Sequence, residues 1–365
     1  MEQQTNSKMA PTKHLFPMLL LLLLCSVEAA AMINSTKALC LPAQASSLLQ
    51  LKGSIHPSFS RLRSLVLINF EYNKLSGKVP EYFSELSSLS SLDISGNYFE
   101  GQFPTTIFQL KSLRKLYLSL NPMLSVRLTY FPNGNNLQDL NLLGTNFTYD
   151  TPLSFANLTS LQTLSLTTAT MAKQLPTSIR LPSLNRLGLW GSGMEKAVLK
   201  LSWVGNLKEL KYLDLDGYDL SQLVPSWIGN LTRLEYLSFF NCDFYVPIPH
   251  QIGYLATLAS LAFIECNVSK QQIPSWIGNL TKLTSLNLVG SNFSGPIPST
   301  IGNLTEVEEL RFSDNSLTGD IPKSLFALPS LQAVFLGGGN QLSGSLEDIP
   351  APSSSLLTYI NLSVG

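Results

Sequence analysis

Residues 304–322 read LTEVEELRFSDNSLTGDIP. Apolar residues recur in this stretch at fixed spacings, and an asparagine and a Gly-x-Ile-Pro ending follow them: Leu304, Val307, Leu310, Phe312, Asn315, Leu317, Gly319, Ile321 and Pro322. One residue separates Leu310 from Phe312, so both side chains point to the same face of an extended chain. The pattern predicts a short strand with two inward side chains, followed by a bend and a turn.

The same pattern recurs along most of the chain. Its first leucine falls at positions 62, 86, 110, 158, 181, 207, 231, 255, 280, 304 and 328, and Gly134 takes this slot in the fourth copy. Most copies begin 24 residues after the previous one. A single coil of this length cannot bury its own leucines, so successive coils must stack. The repeat predicts a solenoid in which the strands form one parallel sheet.

The asparagine of the template is expected to turn inward and bind backbone groups at the bend. The middle copies replace it with Thr145, Ala169, Ser192, Tyr218, Cys242, Cys266 and Ser291. Hydroxyl and thiol groups can donate a hydrogen bond, whereas alanine cannot and tyrosine is larger than the slot requires. We therefore expect a less regular middle. Residues 122–136 and 194–206 also deviate from the template and are expected to be irregular loops.

The first 31 residues have the organisation of a secretory signal peptide. Lys8, Lys13 and His14 precede an apolar run at residues 15–27, and small residues follow at 29–31. Cleavage is expected after Ala29 or Ala31. The alternative is a short membrane anchor, but the apolar run is shorter than the roughly 20 residues that a spanning helix needs. No later stretch is apolar enough to span a bilayer, so a secreted chain is expected.

The template with its Gly-x-Ile-Pro ending resembles the plant-type extracellular leucine-rich repeat. Residues 295–298 and 319–322 are good copies of the ending, and SWIGNLT occurs at both 226–232 and 275–281. Residues 62–365 are similar to the ectodomains of plant receptor-like proteins and receptor-like kinases. The resemblance implies an α/β repeat solenoid, a right-handed curved superhelix with a parallel β-sheet on the concave face.

The resemblance also implies a domain organisation. Residues 1–31 are the signal peptide, 32–61 a partial plant-type N-terminal cap, 62–356 twelve repeats, and 357–365 the start of a thirteenth repeat. Relatives of this type carry a cysteine-bearing C-terminal cap and a membrane helix, which this sequence does not reach. We therefore expect a fragment or a truncated product of a longer receptor.

The residues between and just after the inward leucines should point outward and are the candidates for ligand binding. In repeats six to eight they are rich in aromatic and charged types: Arg186, Trp190, Tyr212, Asp214, Asp216, Tyr236 and Phe240. Exposed aromatic residues beside arginine are typical of binding hot spots. The alternative is that the aromatic rings only cover the sheet by stacking on one another.

Sequons and cysteines suggest covalent features of a secreted chain. Nine N-x-S/T sequons occur, at Asn34, Asn146, Asn157, Asn230, Asn267, Asn279, Asn292, Asn303 and Asn361. Some are expected to be glycosylated, with Asn361 among the poorer acceptors because it lies on a strand. Cys242 and Cys266 occupy the same slot of adjacent coils, where two buried thiols are the preferred interpretation and a disulfide is the alternative.

Composition and motifs limit the function classes. The chain has 24 basic and 24 acidic residues and no basic stripe, which argues against nucleic acid as a partner. No motif for a cofactor, a metal or a catalytic nucleophile is found, so we expect a non-enzymatic recognition module. Expected partners are an extracellular peptide, glycan or protein ligand and a co-receptor kinase. The alternative is a soluble inhibitor similar to the plant polygalacturonase-inhibiting proteins.

Overall fold

Each copy of the template adds one strand to a large parallel sheet. The structure is a computed structural model that describes residues 53–150, 155, 157–167, 179–191, 201–220, 226–344 and 356–363. These residues lie within one compact unit, Lys52–Gly365. The signal peptide and most of the expected N-terminal cap lie outside the described residues.

The large sheet has 13 strands among the described residues, and its spatial order follows the order of the chain. The strands are β1 (Leu67–Asn69), β3 (Ser91–Asp93), β5 (Lys115–Tyr117), β7 (Asp139–Leu142), β9 (Thr163–Thr167), β10 (Arg186–Trp190), β11 (Tyr212–Asp216), β12 (Tyr236–Phe240), β13 (Ser260–Ile264), β14 (Ser285–Asn287), β16 (Glu309–Arg311), β18 (Ala333–Phe335) and β20 (Tyr359–Asn361).

The register follows the template from coil to coil. Leu213 of β11 pairs with Leu187 of β10 on one side and with Leu237 of β12 on the other. These inward side chains are buried in one continuous apolar core. Burial of each such side chain stabilises the fold by roughly 1.5–3 kcal/mol. The predicted repeat solenoid with a parallel sheet is confirmed.

The template asparagines bind backbone groups of adjacent coils, as expected. The Nδ2 atom of Asn97 donates to the carbonyl oxygens of Phe70 at 2.8 Å and Ile94 at 3.0 Å. Its Oδ1 atom accepts from the Leu75 amide at 3.1 Å. Asn315 makes the corresponding bonds near the other end of the array. Each side chain satisfies buried backbone groups that the bend leaves without a ladder partner.

In the middle coils, the residues that replace the asparagine make only some of these hydrogen bonds. The Cys242 thiol donates to the Leu215 carbonyl at 3.4 Å, and the Cys266 thiol donates to the Phe239 carbonyl at 3.3 Å. Both cysteines are buried and free. Burial, followed by interaction with Cys266, raises the pKa of the Cys242 thiol. Tyr218 is fully buried in the same slot. Two other middle-slot residues of the sequence analysis, Ala169 and Ser192, lie outside the described residues.

Two smaller parallel sheets follow the bends, where the sequence analysis expected only turns. One contains β2 (Ser76–Lys78), β4 (Tyr98–Gln102), β6 (Met123–Leu128) and β8 (Asn146–Tyr149), and the other contains β15 (Ser294–Gly295), β17 (Ser316–Asp320) and β19 (Gln341–Ser343). The interpretation of residues 122–136 as an irregular loop was therefore wrong for β6. This strand pairs with β4 and β8, so neighbouring coils supply backbone partners that local composition does not reveal.

The side opposite the large sheet consists mainly of 3-10 helices. They span Pro57–Arg61, Glu81–Glu85, Thr105–Gln109, Val204–Asn206, Ser226–Asn230, His250–Tyr254, Ser275–Asn279 and Ser299–Asn303. One four-residue α-helix, α1, spans Lys323–Phe326. The helical part of the expected α/β class is thus mostly 3-10 within the described residues. About five residues separate the template proline from the next inward leucine, too few for a regular α-helix.

The two ends of the described array continue the repeat. Near the first repeat, Gly53 forms a parallel bridge to Leu75, and the Phe59 ring packs 5.9 Å from the Phe70 ring. At the other end, β20 pairs with β18, so a thirteenth coil contributes its strand. Among the described residues, no helix combines the length and apolar character needed to cross a membrane. The expected domain boundaries stay predictions.

Candidate ligand-binding face

Three neighbouring strands bring the seven candidate residues together on the outward face of the large sheet. We call this set the central patch: Arg186, Trp190, Tyr212, Asp214, Asp216, Tyr236 and Phe240. All seven are partly exposed. They lie in β10, β11 and β12, and the parallel register arranges them in columns across the strands. The repeat pattern predicted that they share one surface, and the structure has this arrangement; that they bind a ligand stays a prediction.

The first column combines a cation with two aromatic rings. The guanidinium carbon of Arg186 lies 4.1 Å from the centre of the Tyr212 ring. The Tyr212 and Tyr236 rings are stacked, with centres 5.9 Å apart and planes inclined by 30°. This stacking is the packing that the alternative interpretation expected. It also produces a flat, rigid aromatic surface that loses little side-chain entropy when a ligand binds.

Asp214 occupies the middle column, between Gly188 and Ser238 in register. Burial raises the pKa of its carboxyl group to about 6, while hydrogen bonds with Ser238 and Trp190 favour the charged form. Burial is also the main cause that raises the pKa of Tyr236, and the charge of Asp214 adds to it. Asp214 thus lies between the other two columns and interacts electrostatically with Trp190 on one side and Tyr236 on the other.

The third column places an acid between two aromatic residues. Trp190 pairs with Asp216, and Asp216 pairs with Phe240 on the next strand. Adjacent strands lie about 4.8 Å apart, so the three side chains are direct neighbours on the surface. They stand at the end of their strands, where the chain turns toward the bend.

Two glycines allow the coils to approach closely behind this column. The Gly191 amide donates to the Asp216 carbonyl at 2.6 Å. A Cβ atom on Gly191 would lie 2.4 Å from the Gly217 carbonyl oxygen. Gly217 has a φ of +73°, in the left-handed region that favours glycine. The positions of Trp190 and Asp216 thus depend on residues that carry no side chain.

A second aromatic ladder lies in the last coils and was not predicted as a group from the sequence. The guanidinium carbon of Arg311 lies 4.6 Å from the Phe335 ring centre, and the Phe335 and Tyr359 rings are 4.9 Å apart. Arg311 also forms an ion pair with Glu309 at 2.6 Å. The 24-residue register was the available signal, because it places Arg311 and Phe335 in the same outward column.

The sequons differ in their surroundings. Asn230, Asn279 and Asn303 are exposed at the ends of 3-10 helices, and Asn146 is exposed on β8. By contrast, Asn157 is partly buried, and its Nδ2 atom donates to the Phe131 carbonyl at 2.7 Å.

The remaining sequons are also involved in contacts or lie outside the described part. The Nδ2 atom of Asn292 lies 3.3 Å from the Oδ1 atom of Asn267. Asn361 is partly buried on β20 and accepts from the Ser363 amide at 2.9 Å. Asn34 lies outside the described residues.

Residue types common in catalysis are dispersed in the described part of the chain. His56 contacts Ser58, and the His250 ring packs against Tyr254 at 5.7 Å. No group of three or more His, Cys, Asp or Glu side chains within the described ranges is arranged to hold a metal ion. Trp203 is buried, and Trp227 and Trp276 pack against the core from the side of the 3-10 helices.

Two family models match the chain. A model described as leucine-rich repeat region matches residues 184–363, and a model described as leucine rich repeat matches residues 53–99. No curated protein shows significant sequence similarity to the chain.

Solved structures of plant receptors share the fold. The crystal structure of PEPR1-AtPEP1 is 29% identical, with 85% of this chain and 43% of that chain covered and a TM-score of 0.58. The crystal structure of a TDR receptor is 26% identical, with coverages of 85% and 61% and a TM-score of 0.56. The plant peptide hormone receptor RGFR1 in complex with RGF2 is 24% identical, with coverages of 86% and 57% and a TM-score of 0.54, which shows the fold alone.

The chain spans between about two fifths and three fifths of the length of these receptors. The two family models together match more than half of the chain, and the match extends to the strands that carry the central patch. The chain belongs to the leucine-rich repeat proteins, and its resemblance to the ectodomains of plant leucine-rich repeat receptors is confirmed.

Proposed function

We propose that this chain is the non-enzymatic extracellular recognition module of a plant receptor-like protein. It binds a peptide or a microbe-derived ligand in defence or developmental signalling. The observation that carries the proposal is the central patch, where three adjacent strands present aromatic and charged side chains from a rigid sheet.

The composition of the patch supports binding. Interface hot spots are enriched in tryptophan, tyrosine and arginine, and the patch contains all three types in partly exposed positions. The outward face of β14 carries Ser285 and Asn287 at the corresponding register positions. Large rigid side chains are therefore unevenly distributed on the sheet: the central patch carries several, the last coils carry a second group, and β14 carries only small polar ones.

The comparisons support the ligand class. One similar structure is described as PEPR1-AtPEP1, and another as the plant peptide hormone receptor RGFR1 in complex with RGF2. A peptide that lies across parallel strands can make several modest contacts with successive coils. We place this chain in the secretory pathway, with a co-receptor kinase as a second partner and N-glycans at exposed sequons.

A binding experiment tests the proposal. The secreted chain is immobilised and screened with a random dodecapeptide display library, a chitin oligomer and an oligogalacturonide. We expect peptides that bind the wild-type chain and lose at least tenfold in affinity for the Trp190→Ala, Tyr212→Ala double variant. Each truncation of a buried aromatic anchor costs about 2 kcal/mol or more at a hot spot. Thermal unfolding of the variant serves as the folding control.

Two results decide against the proposal. Binders whose affinity is unchanged in the double variant would remove the central patch from the recognition site. Inhibition of a fungal polygalacturonase by the same chain, without any peptide binding, would favour the inhibitor alternative instead.

A further inference from the structure

We infer that the ring of Tyr254 binds the first sugar of an N-glycan attached to Asn279, one coil further along the array. The inference rests on the part of the proposed function that places N-glycans at exposed sequons, and it does not involve the ligand of the central patch. The face of an aromatic ring carries partial negative charge, so the C–H groups of a sugar can pack against it favourably.

Tyr254 takes the position at which neighbouring coils carry sequons. Four successive 3-10 helices end with Asn230, Tyr254, Asn279 and Asn303. All four residues are exposed, and the 64% exposure of Tyr254 means that a sugar can reach its ring. Each of the three asparagines is followed by Leu-Thr, which completes a sequon. The repeat therefore places one large aromatic ring in a row of glycan acceptors.

A glycine lets the helix of Tyr254 approach the next helix closely. A Cβ atom on Gly253 would lie 3.1 Å from the Trp276 Cβ atom and 3.3 Å from the Trp276 carbonyl oxygen. Tyr254 directly follows Gly253, and Trp276 belongs to the helix that ends at Asn279. The ring thus stands beside the helix that carries the acceptor.

The helical geometry turns Asn279 toward Tyr254. Side chains three residues apart eclipse one another in a 3-10 helix, so Asn279 lies on the same side of its helix as Trp276. Trp276 is the residue that meets Gly253, and this side of the helix therefore faces the preceding coil. A sugar on the Nδ2 atom of Asn279 extends from the side that is next to Tyr254.

The same geometry excludes the sequon on the other side of the ring. Asn230 lies on the same side of its helix as Trp227, three residues earlier. A Cβ atom on Gly205 would lie 2.6 Å from the Trp227 Cβ atom, so this side also faces the coil that precedes it. Asn230 is therefore directed away from Tyr254, and Asn279 is the acceptor that we assign to the ring.

The helix of Tyr254 itself supports the ring. The His250 ring packs edge-on against it, with ring centres 5.7 Å apart and planes inclined by 82°. This contact restricts the rotamers of the tyrosine before a sugar binds. Less side-chain entropy is then lost when the sugar packs against the ring.

The rate of glycan release tests the inference. The chain is secreted from a mammalian cell line and treated with peptide N-glycosidase F under native conditions, and release at each sequon is followed by peptide mass spectrometry in water labelled with oxygen-18. We expect release at Asn279 to be about threefold faster in Tyr254→Ala, because a sugar held against the ring must leave it before the enzyme can bind. Tyr254→Phe keeps the ring and should keep the wild-type rate.

Two controls accompany this measurement. The release rates at Asn230 and Asn303 should be the same in all variants. Tyr245→Ala removes another exposed tyrosine, which lies in the bend after β12, and should leave the rate at Asn279 unchanged.

A double-mutant cycle measures the same contact through stability. Asn279→Gln removes the glycan and Tyr254→Ala removes the ring. We expect Tyr254→Ala to lower the Tm by about 1–2 °C more in the glycosylated chain than in the Asn279→Gln background.

The outcomes separate this inference from the proposed function. Equal release rates at Asn279 in the wild type and in Tyr254→Ala would overturn the contact and leave glycosylation intact. A Tyr254→Phe variant that behaves like Tyr254→Ala would overturn it as well, since the hydroxyl group and not the ring would then be responsible. Faster release at every sequon alike would reflect general loosening of the array and would also count against it. If Asn279 carries no glycan, the inference fails, while recognition at the central patch is unaffected.

Discussion

The guanidinium carbon of Arg186 lies 4.1 Å from the centre of the Tyr212 ring, on the adjacent strand. The interaction joins β10 to β11 on the outward face, whereas the strand leucines pack on the inward face. Cation–π pairs at partly exposed sites contribute about 0.5–1 kcal/mol to stability.

The first prediction concerns the energy of this pair. A double-mutant cycle of Arg186→Met and Tyr212→Leu should give a coupling of about 0.5–1 kcal/mol in urea unfolding, because both replacements keep apolar packing and remove the electrostatic attraction. The cycle of Arg186→Met with the more distant Phe240→Leu serves as control and should be additive. A coupling near zero for Arg186 and Tyr212 would mean that the contact is not stabilising.

The second prediction concerns the glycine pair behind the patch. Gly191→Ala should lower the free energy of unfolding by about 1–3 kcal/mol, because its Cβ atom would lie 2.4 Å from the Gly217 carbonyl oxygen and the coils would have to separate. Gly188→Ala, three residues earlier and on β10, is the matched control, since its Cβ atom would lie 3.4 Å from the nearest atom, the Ser165 Oγ. Equal unfolding midpoints for the two variants would contradict the close approach.

The third prediction concerns the pH dependence of stability. Burial raises the pKa of Asp214 from 3.8 to about 6. The unfolded chain therefore releases this proton at lower pH than the folded chain does, and stability falls as the pH rises from about 4 to about 6. Ionisation of Asp214 lowers the free energy of unfolding at pH 7 by at most about 3 kcal/mol. The effect is smaller than this limit because the residue is partly exposed to water.

Asp214→Asn tests this dependence, because the amide keeps an acceptor for Trp190 and Ser238 but does not ionise. We expect the variant to be more stable than the wild type at pH 7, with a smaller difference at pH 4. Thermal unfolding of both proteins at the two pH values measures this change. A difference that is the same at both pH values would show that Asp214 titrates normally.

The fourth prediction concerns the two cysteines of the middle coils. Cys242 and Cys266 are buried, free and hydrogen-bonded to carbonyl oxygens, so peptide mapping under non-reducing conditions should recover both as thiols. Cys242→Ser should retain the donor, whereas Cys242→Val should leave the Leu215 carbonyl without it and lose about 1–3 kcal/mol. Detection of a 242–266 crosslink in the secreted chain would refute this description.

The fifth prediction concerns glycan occupancy. Asn230, Asn279 and Asn303 are exposed at the ends of 3-10 helices and should be the most completely glycosylated sequons of the secreted chain. Asn157 should be occupied least, because its Nδ2 atom, the one that the sugar would modify, donates to a backbone carbonyl. Peptide mass spectrometry after enzymatic deglycosylation in water labelled with oxygen-18 measures the occupancy of each site. High occupancy at Asn157 would exclude this ordering.

Much of the fold could be predicted from the repeat period. The step of 24 residues identifies the strands, the inward leucines and the asparagine ladder, because each depends only on position within one template. It also identified the members of the central patch, since Arg186, Tyr212 and Tyr236 share one template position. Because every copy of the template repeats the same positions, identifying the inward and outward positions in one copy identifies them in the others.

The smaller sheets and the 3-10 helices could not be predicted in the same way. The strand β6 lies in a stretch rich in Asn, Gly and Pro, and it exists because β4 and β8 supply backbone partners on either side. Local composition contains no information about these partners, and the order of the coils decides which backbone groups meet.

The sequence by itself determined the solenoid, its register and the surface on which the central patch lies, because the positions of buried side chains follow from periodicity. Only the tertiary structure decided the details that matter for binding. The raised pKa of Asp214, the approach of Gly191 to Gly217 and the position of Arg186 over Tyr212 depend on distances between coils. Those distances result from packing among residues far apart in the chain, which no single copy of the template encodes.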